Sequence, residues 1–225
     1  MEYAVYGELC ERYAKSYVAL GKMRTPVWQQ QCWVEGEYAE FIVRNGCGHC
    51  CAAMALTMHG IAINPHEEYA LCRELWGAPR ELRRPDGTKE GQGNFQSNAG
   101  IVKILRHHGV PAEGFGVPSR DAAREHIDAA LRRGRLVIFE SHPTADFPDN
   151  PFSSGEHWVM AVGYTEDGRV LVANSSVKAS PTGVDIVSLD TVVRALYLGS
   201  EPDGEMTWGE WRDDFKSGTG YIVVG

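Results

Sequence analysis

Hydrophobic and polar positions along the chain alternate between two periods, and the change of period orders the elements. Val5, Leu9, Tyr13, Tyr17 and Leu20 recur at helical spacing and Gly21 closes the run, which predicts an amphipathic helix over residues 5–20. Thr25 to Val43 carries Trp28, Trp33, Tyr38 and Phe41 without a steady period and reads as an extended arm, with 39–44 a brief strand-like run. Ala52, Ala53, Ala55 and Leu56 favour a helix that begins near Cys47 and stops at Gly60. Asn64-Pro65-His66-Glu67-Glu68 opens a short helix through Leu75. Residues 78–95 are a polar, Pro/Gly-rich loop. Ser97 to His108 is a further helix closed by Gly109, and Pro118-Ser119-Arg120-Asp121 opens another that runs to Arg133.

From Arg135 onward the period shortens. Arg135 to Glu140 reads as a central strand, and His157 to Tyr164 and Arg169 to Ala173 as two strands joined by the turn Thr165-Glu166-Asp167-Gly168. Asp185 to Val187 is a short strand, Ser188 caps a brief helix through Leu196, and Tyr221 to Val224 is a closing strand after the aromatics Trp208, Trp211 and Phe215. Helices first and strands later predict an α+β fold rather than a doubly wound parallel sheet.

Composition narrows the function classes. The 225 residues suit a single domain, residues 1–225, with 1–24 as an N-terminal helical extension. A net charge of −8 argues against a nucleic-acid surface. No apolar run approaches the roughly 20 residues of a membrane span, and the first residues lack the basic start and apolar core of a signal peptide. The six cysteines, Cys10, Cys32, Cys47, Cys50, Cys51 and Cys72, are read as mostly reduced, and a cytoplasmic location follows.

The chemistry concentrates in Asn45-Gly46-Cys47-Gly48-His49-Cys50. A cysteine at a helix N-terminus meets unpaired N–H groups and the helix dipole, which favour a thiolate. Flanking glycines let the chain turn and leave room beside the sulfur for a substrate carbonyl. A nucleophilic cysteine needs a base and a group to orient it. His157 begins one hairpin strand and Asn174 follows the other, so imidazole and amide can meet. Cys50 and Cys51 are read as helix-packing residues, and His49, His59, His66, His107, His108, His126 and His142 as surface or capping residues.

The order Cys47, His157, Asn174 resembles the papain-like cysteine peptidases. Gly46-Cys47-Gly48, Gly155-Glu156-His157-Trp158-Val159 and Gly163-Tyr164-Thr165-Glu166-Asp167-Gly168 resemble more narrowly their bacteriocin-leader-peptidase-like branch, over roughly residues 25 to 175. The resemblance implies a papain-like α+β fold and a glutamine lining the oxyanion hole. Gln30 has the matching spacing, with Gln29 and Gln31 as alternatives. The chain has His49-Cys50 where such members often carry Pro-Thr, and Asn174-Ser175 where Asp-Pro is common. The expected activity is cleavage of a peptide or amide bond through a Cys47 thioester. Its partner is a peptide or protein substrate, with no nucleic acid, membrane, metal or organic cofactor implied and the oligomeric state left open. An acyl or peptidyl transferase on the same fold is one alternative. From another class, Cys47-Gly48-His49-Cys50 is a C-x-x-C that a dithiol redox protein could use, and a zinc site or a non-catalytic peptide binder complete the set.

Overall fold

The computed structural model describes residues 12–32, 35–77, 81–83, 89–92, 95–117, 119–196 and 220–225. It begins with a hairpin of β1 (Ala14–Leu20) and β2 (Met23–Trp28), followed by a 3-10 turn at Gln30–Cys32. Helices α1 (Ala39–Asn45), α2 (Cys47–Met58) and α3 (Pro65–Trp76) come next, then a small hairpin of β3 (Glu81–Arg83) and β4 (Lys89–Gln92). Helix α4 (Asn98–His107), strand β5 (Ala112–Phe115) and helix α5 (Arg120–Arg132) lead into β6 (Leu136–Ser141), β7 (His157–Tyr164), β8 (Val170–Ala173) and β9 (Val184–Val187). Helix α6 (Leu189–Ala195) and β10 (Tyr221–Val224) complete the described elements. Among the described residues no helix is long and apolar enough to cross a membrane.

One antiparallel sheet of six strands, ordered β5-β10-β6-β7-β8-β9, divides the core into two layers. Strand alternation sends Leu136, Ile138, Trp158, Met160, Ile222 and Val224 to the face that carries α2, while Val137, Phe139, Val159, Ala161 and Val223 pack with Ile127 of α5 and Val192 of α6. Helix α2 is the centre of the first layer. Every residue from Gly48 to Met58 is buried, because the helix is apolar on all sides. Helix α5 is its opposite: only Ala123, Ile127, Ala130 and Leu131 are buried, one stripe on a polar helix.

Two expectations fail in the N-terminal part. Residues 14–20 are a strand, not the end of a helix. Gly21, with φ +58°, turns the chain back so that Leu20 pairs with Met23 and Val18 with Thr25. The stripe drawn for a helix is not buried as one, since Val18 is buried and Tyr17 is 39% exposed with the Arg24 guanidinium 4.4 Å from its ring centroid. Cross-strand pairing overrides the local period. Residues 1–11 and the aromatics Trp208, Trp211 and Phe215 lie outside the described residues. The extended arm holds over β2, but Ala39–Asn45 is helical, burying Ala39 and Ile42 one turn apart. Helix α3 starts where expected, on a capping box: Asn64 Oδ1 accepts from the N–H of Glu67 at 2.9 Å, and Glu67 Oε2 accepts from the N–H of Asn64 at 3.0 Å. The C-terminal strand does not close an edge. It runs between β5, a strand the periodicity missed, and β6.

Candidate active site

The turn around Cys47 is made by a single residue between two helices. Gly46 accepts at its carbonyl from Cys50 N–H at 2.8 Å and donates its own N–H to Ile42 O at 2.8 Å, so it ends α1 and caps α2 at once. A Cβ at Gly46 would stand 2.5 Å from Ile42 O, so no other residue fits without shifting the backbone. Cys47 is thereby fixed as the first residue of α2 and is only partly buried, while Cys50 and Cys51 are sealed in the core.

His157 and Asn174 meet behind the cleft. The hairpin of β7 and β8 brings His157 Nε2 to 2.9 Å from Asn174 Oδ1. The amide cannot be turned round. Its Nδ2 donates to Phe152 O at 3.2 Å and to Asp185 Oδ2 at 2.9 Å, and its Oδ1 also accepts from Ser176 N–H at 2.9 Å. An oxygen acceptor at this position requires the proton on Nε2, which leaves Nδ1 as the basic nitrogen of the ring.

Cys47 and His157 line the same cleft, about 420 Å³ in volume, with Gln30, Arg44, Lys178 and the 148–154 segment around them. Gln30 is buried, and its Nε2 donates to Val43 O at 3.3 Å. Gln29 points away from the cleft, donating from Nε2 to Asn174 O at 3.2 Å. The side chain of Gln31 lies outside the described residues.

Burial sets the charges. It pushes the Cys47 thiol up to about 11, against the opposite pull of the backbone groups of Trp158, Gly48 and Cys47 itself. It pushes His157 down to about 4, with the Asn174 hydrogen bond pulling the other way. Burial thus works against the thiolate that the helix N-terminus was expected to favour, and against the imidazolium as well.

The sequence of this fold can be placed. A model of the Peptidase_C39 like family matches residues 24–197, well over half of the chain. The chain belongs to the C39-like peptidase family. Its general class is thus cysteine peptidase, on the papain-like α+β fold. Among solved structures it is similar to a Bacillus anthracis protein provisionally described as a C39-like peptidase. The two share 14% identity over 80% of this chain and 88% of that one, with a TM-score of 0.41. No curated protein matches the chain.

Three side chains beside this C39-like site escaped the sequence reading. Gln96, just ahead of α4, places Oε1 2.5 Å from Gly48 N and 3.5 Å from Cys47 Sγ. Glu140 of β6 sits across the sheet from Trp158, with Oε2 buried and without a partner among the described residues. Burial, with Glu156 nearby, pushes its carboxyl up to about 8. Asp185 of β9 stands behind Asn174. None lies near a recognisable motif, and only the sheet and α4 bring them together.

A second polar cluster also appears. His49, read as a surface or capping residue, is fully buried, its Nδ1 bonded to Glu68, whose Oε1 accepts from the Cys72 thiol at 3.0 Å. Alternation of helix faces explains the correction: two residues after Cys47, the side chain turns from the cleft toward α3. Among the described residues these three form the group with donor atoms suited to a metal, all within 4.8 Å of one another, and each is already bonded within the cluster.

Proposed function

We propose that this peptidase cleaves a peptide or amide bond through a thioester on Cys47, with His157 as base and Asn174 as its orienting partner. The observation that carries the reading is that His157, its tautomer fixed by an amide that cannot rotate, opens onto the same cleft as Cys47. His157 Nδ1 takes the thiol proton while Sγ bonds to the substrate carbonyl carbon. Because burial disfavours the charged form of both groups, proton transfer accompanies attack rather than preceding it. The carbonyl oxygen gains the electron pair and is received by the N–H of Cys47 and the Nε2 of Gln30, which gives up its long bond to Val43 O. His157 then protonates the leaving amine, and water releases the acyl group.

The substrate is a peptide or protein. A cytoplasmic setting is supported by the free thiols of Cys32, Cys47, Cys50, Cys51 and Cys72. Against the dithiol alternative stands the element before the C-x-x-C. Helix α1, not a strand, leads into Cys47.

A pool of fluorogenic peptides tests the proposal. Cys47→Ala abolishes release and Cys50→Ala retains it. Equal loss in both variants would transfer the reading to a dithiol centre, and retention in Cys47→Ala would end it.

A further inference from the structure

We propose that Gln96 is a positioning residue of this site, its side-chain amide bracing the Asn45–Gly48 turn and holding Cys47 as a thiol until substrate arrives. The inference rests on Cys47 being the reactive thiol. Gln96 is buried and makes three contacts with one turn: Oε1 accepts from Gly48 N–H at 2.5 Å, Oε1 faces Cys47 Sγ at 3.5 Å, and Nε2 donates to Asn45 O. The first and third contacts fix the orientation of the amide, since a backbone N–H needs an oxygen and a backbone carbonyl needs an N–H. The atom facing the sulfur is therefore an acceptor. It is satisfied by S–H and opposed by S⁻.

The same oxygen engages the Gly48 N–H, one of the donors that pulls the Cys47 thiol toward ionisation. Gln96 thus acts twice in one direction, by accepting from the thiol and by occupying a donor the thiolate would use. Gly48 is shaped for this. A Cβ there would lie 2.8 Å from both Cβ and Cγ of Gln96. The space that a glycine was expected to leave for a substrate carbonyl is filled by Gln96. Other titratable groups face the sulfur as well. Glu140 on β6 opposes ionisation, Cys50 lies one turn along α2, and His157, Arg44, Glu156 and Lys178 line the cleft.

The test is the rate of iodoacetamide labelling at Cys47 as a function of pH, located by mass spectrometry. It is run in a Glu140→Gln background so that a carboxyl ionising at about 8 does not enter the curve. Gln96→Met removes the acceptor and frees the Gly48 N–H, and labelling at pH 7 rises about fivefold, the worth of one hydrogen bond. Gln96→Glu keeps the shape and adds negative charge, so labelling falls and its midpoint moves up. Gly48→Ala dislodges the amide without altering it and moves the rate in the same direction as Gln96→Met. Unlabelled Cys50 and Cys51 report that the fold is intact. Shifts of opposite sign for Met and Glu support the inference; shifts of one sign, or none, overturn it. Labelling needs no substrate, so this result stands apart from peptide release, whose survival in Cys47→Ala would instead overturn the peptidase mechanism.

Discussion

His157 and His49 are both buried imidazoles held by one side-chain partner, and the difference between the partners separates the proposed reactive site from a structural cluster. Asn174 offers His157 a neutral oxygen, and among the described residues the ring, which lines the cleft, has no hydrogen-bond partner for its second nitrogen. Glu68 offers His49 a carboxylate inside a sealed cage of Phe41, Tyr69 and Phe95, and its other oxygen takes the Cys72 thiol. In the proposed mechanism the first arrangement leaves a base facing the cleft that Cys47 also lines. The other commits Nδ1 to Glu68, leaves Nε2 buried with no partner among the described residues, and ties α2 to α3. A buried histidine thus says little by itself; its partner and what lies beyond its second nitrogen decide the role.

Breaking each histidine in turn separates the two most widely. His157→Ala lowers kcat/KM on a cleaved peptide by about 10²–10⁴-fold in the folded fraction itself, although the loss of a buried ring bonded to Asn174 also lowers the melting temperature. Glu68→Gln does the reverse. It replaces one of the two acceptor oxygens that face His49 and Cys72 with an N–H2 donor in a fully buried cluster, at a cost of about 1–3 kcal/mol seen in urea unfolding, while the folded fraction keeps its kcat. A loss of activity without loss of stability in Glu68→Gln would erase the distinction. Asn174→Ala is smaller in activity, about tenfold in kcat for one lost orienting hydrogen bond.

The finest test is stability against pH. The folded-state value of His157, about 4, lies below its ordinary 6.5, so the unfolded chain binds the extra proton first. Its contribution is complete above pH 6.5 and is lost as pH falls from 6.5 to 4. Glu140 has the opposite sign. Raised from 4.5 to about 8, it is protonated when folded and ionised when unfolded across that interval, so its contribution is lost as pH rises. Glu140→Gln therefore raises the melting temperature relative to the parent protein by an amount that grows from pH 4.5 to about 8 and stays constant above it, and leaves it unchanged below 4.5. An unchanged alkaline limb would mean that Glu140 is already ionised in the folded chain.

Local signals set the elements whose neighbours agree with them. The capping box at Asn64, the Ser119 cap of α5 and the turn at Gly168 are legible because each satisfies its own backbone groups within a few residues. Cys47 at a helix start, and His157 with Asn174 across a hairpin, were legible for the same reason: a glycine-flanked turn and a strand pair are local features. Beyond them, the sequence by itself determined the family, the α+β class and the residues able to do chemistry. Tertiary structure decided the rest. It paired residues 14–20 as a strand, because a partner across Gly21 outweighs a helical stripe. It placed Gln96 against Cys47 and Glu140 across from Trp158, contacts made by residues far apart in the chain that no spacing rule encodes. It also set how far Cys47 and His157 are desolvated, since a helix N-terminus can be read from a turn, whereas desolvation depends on everything packed around it.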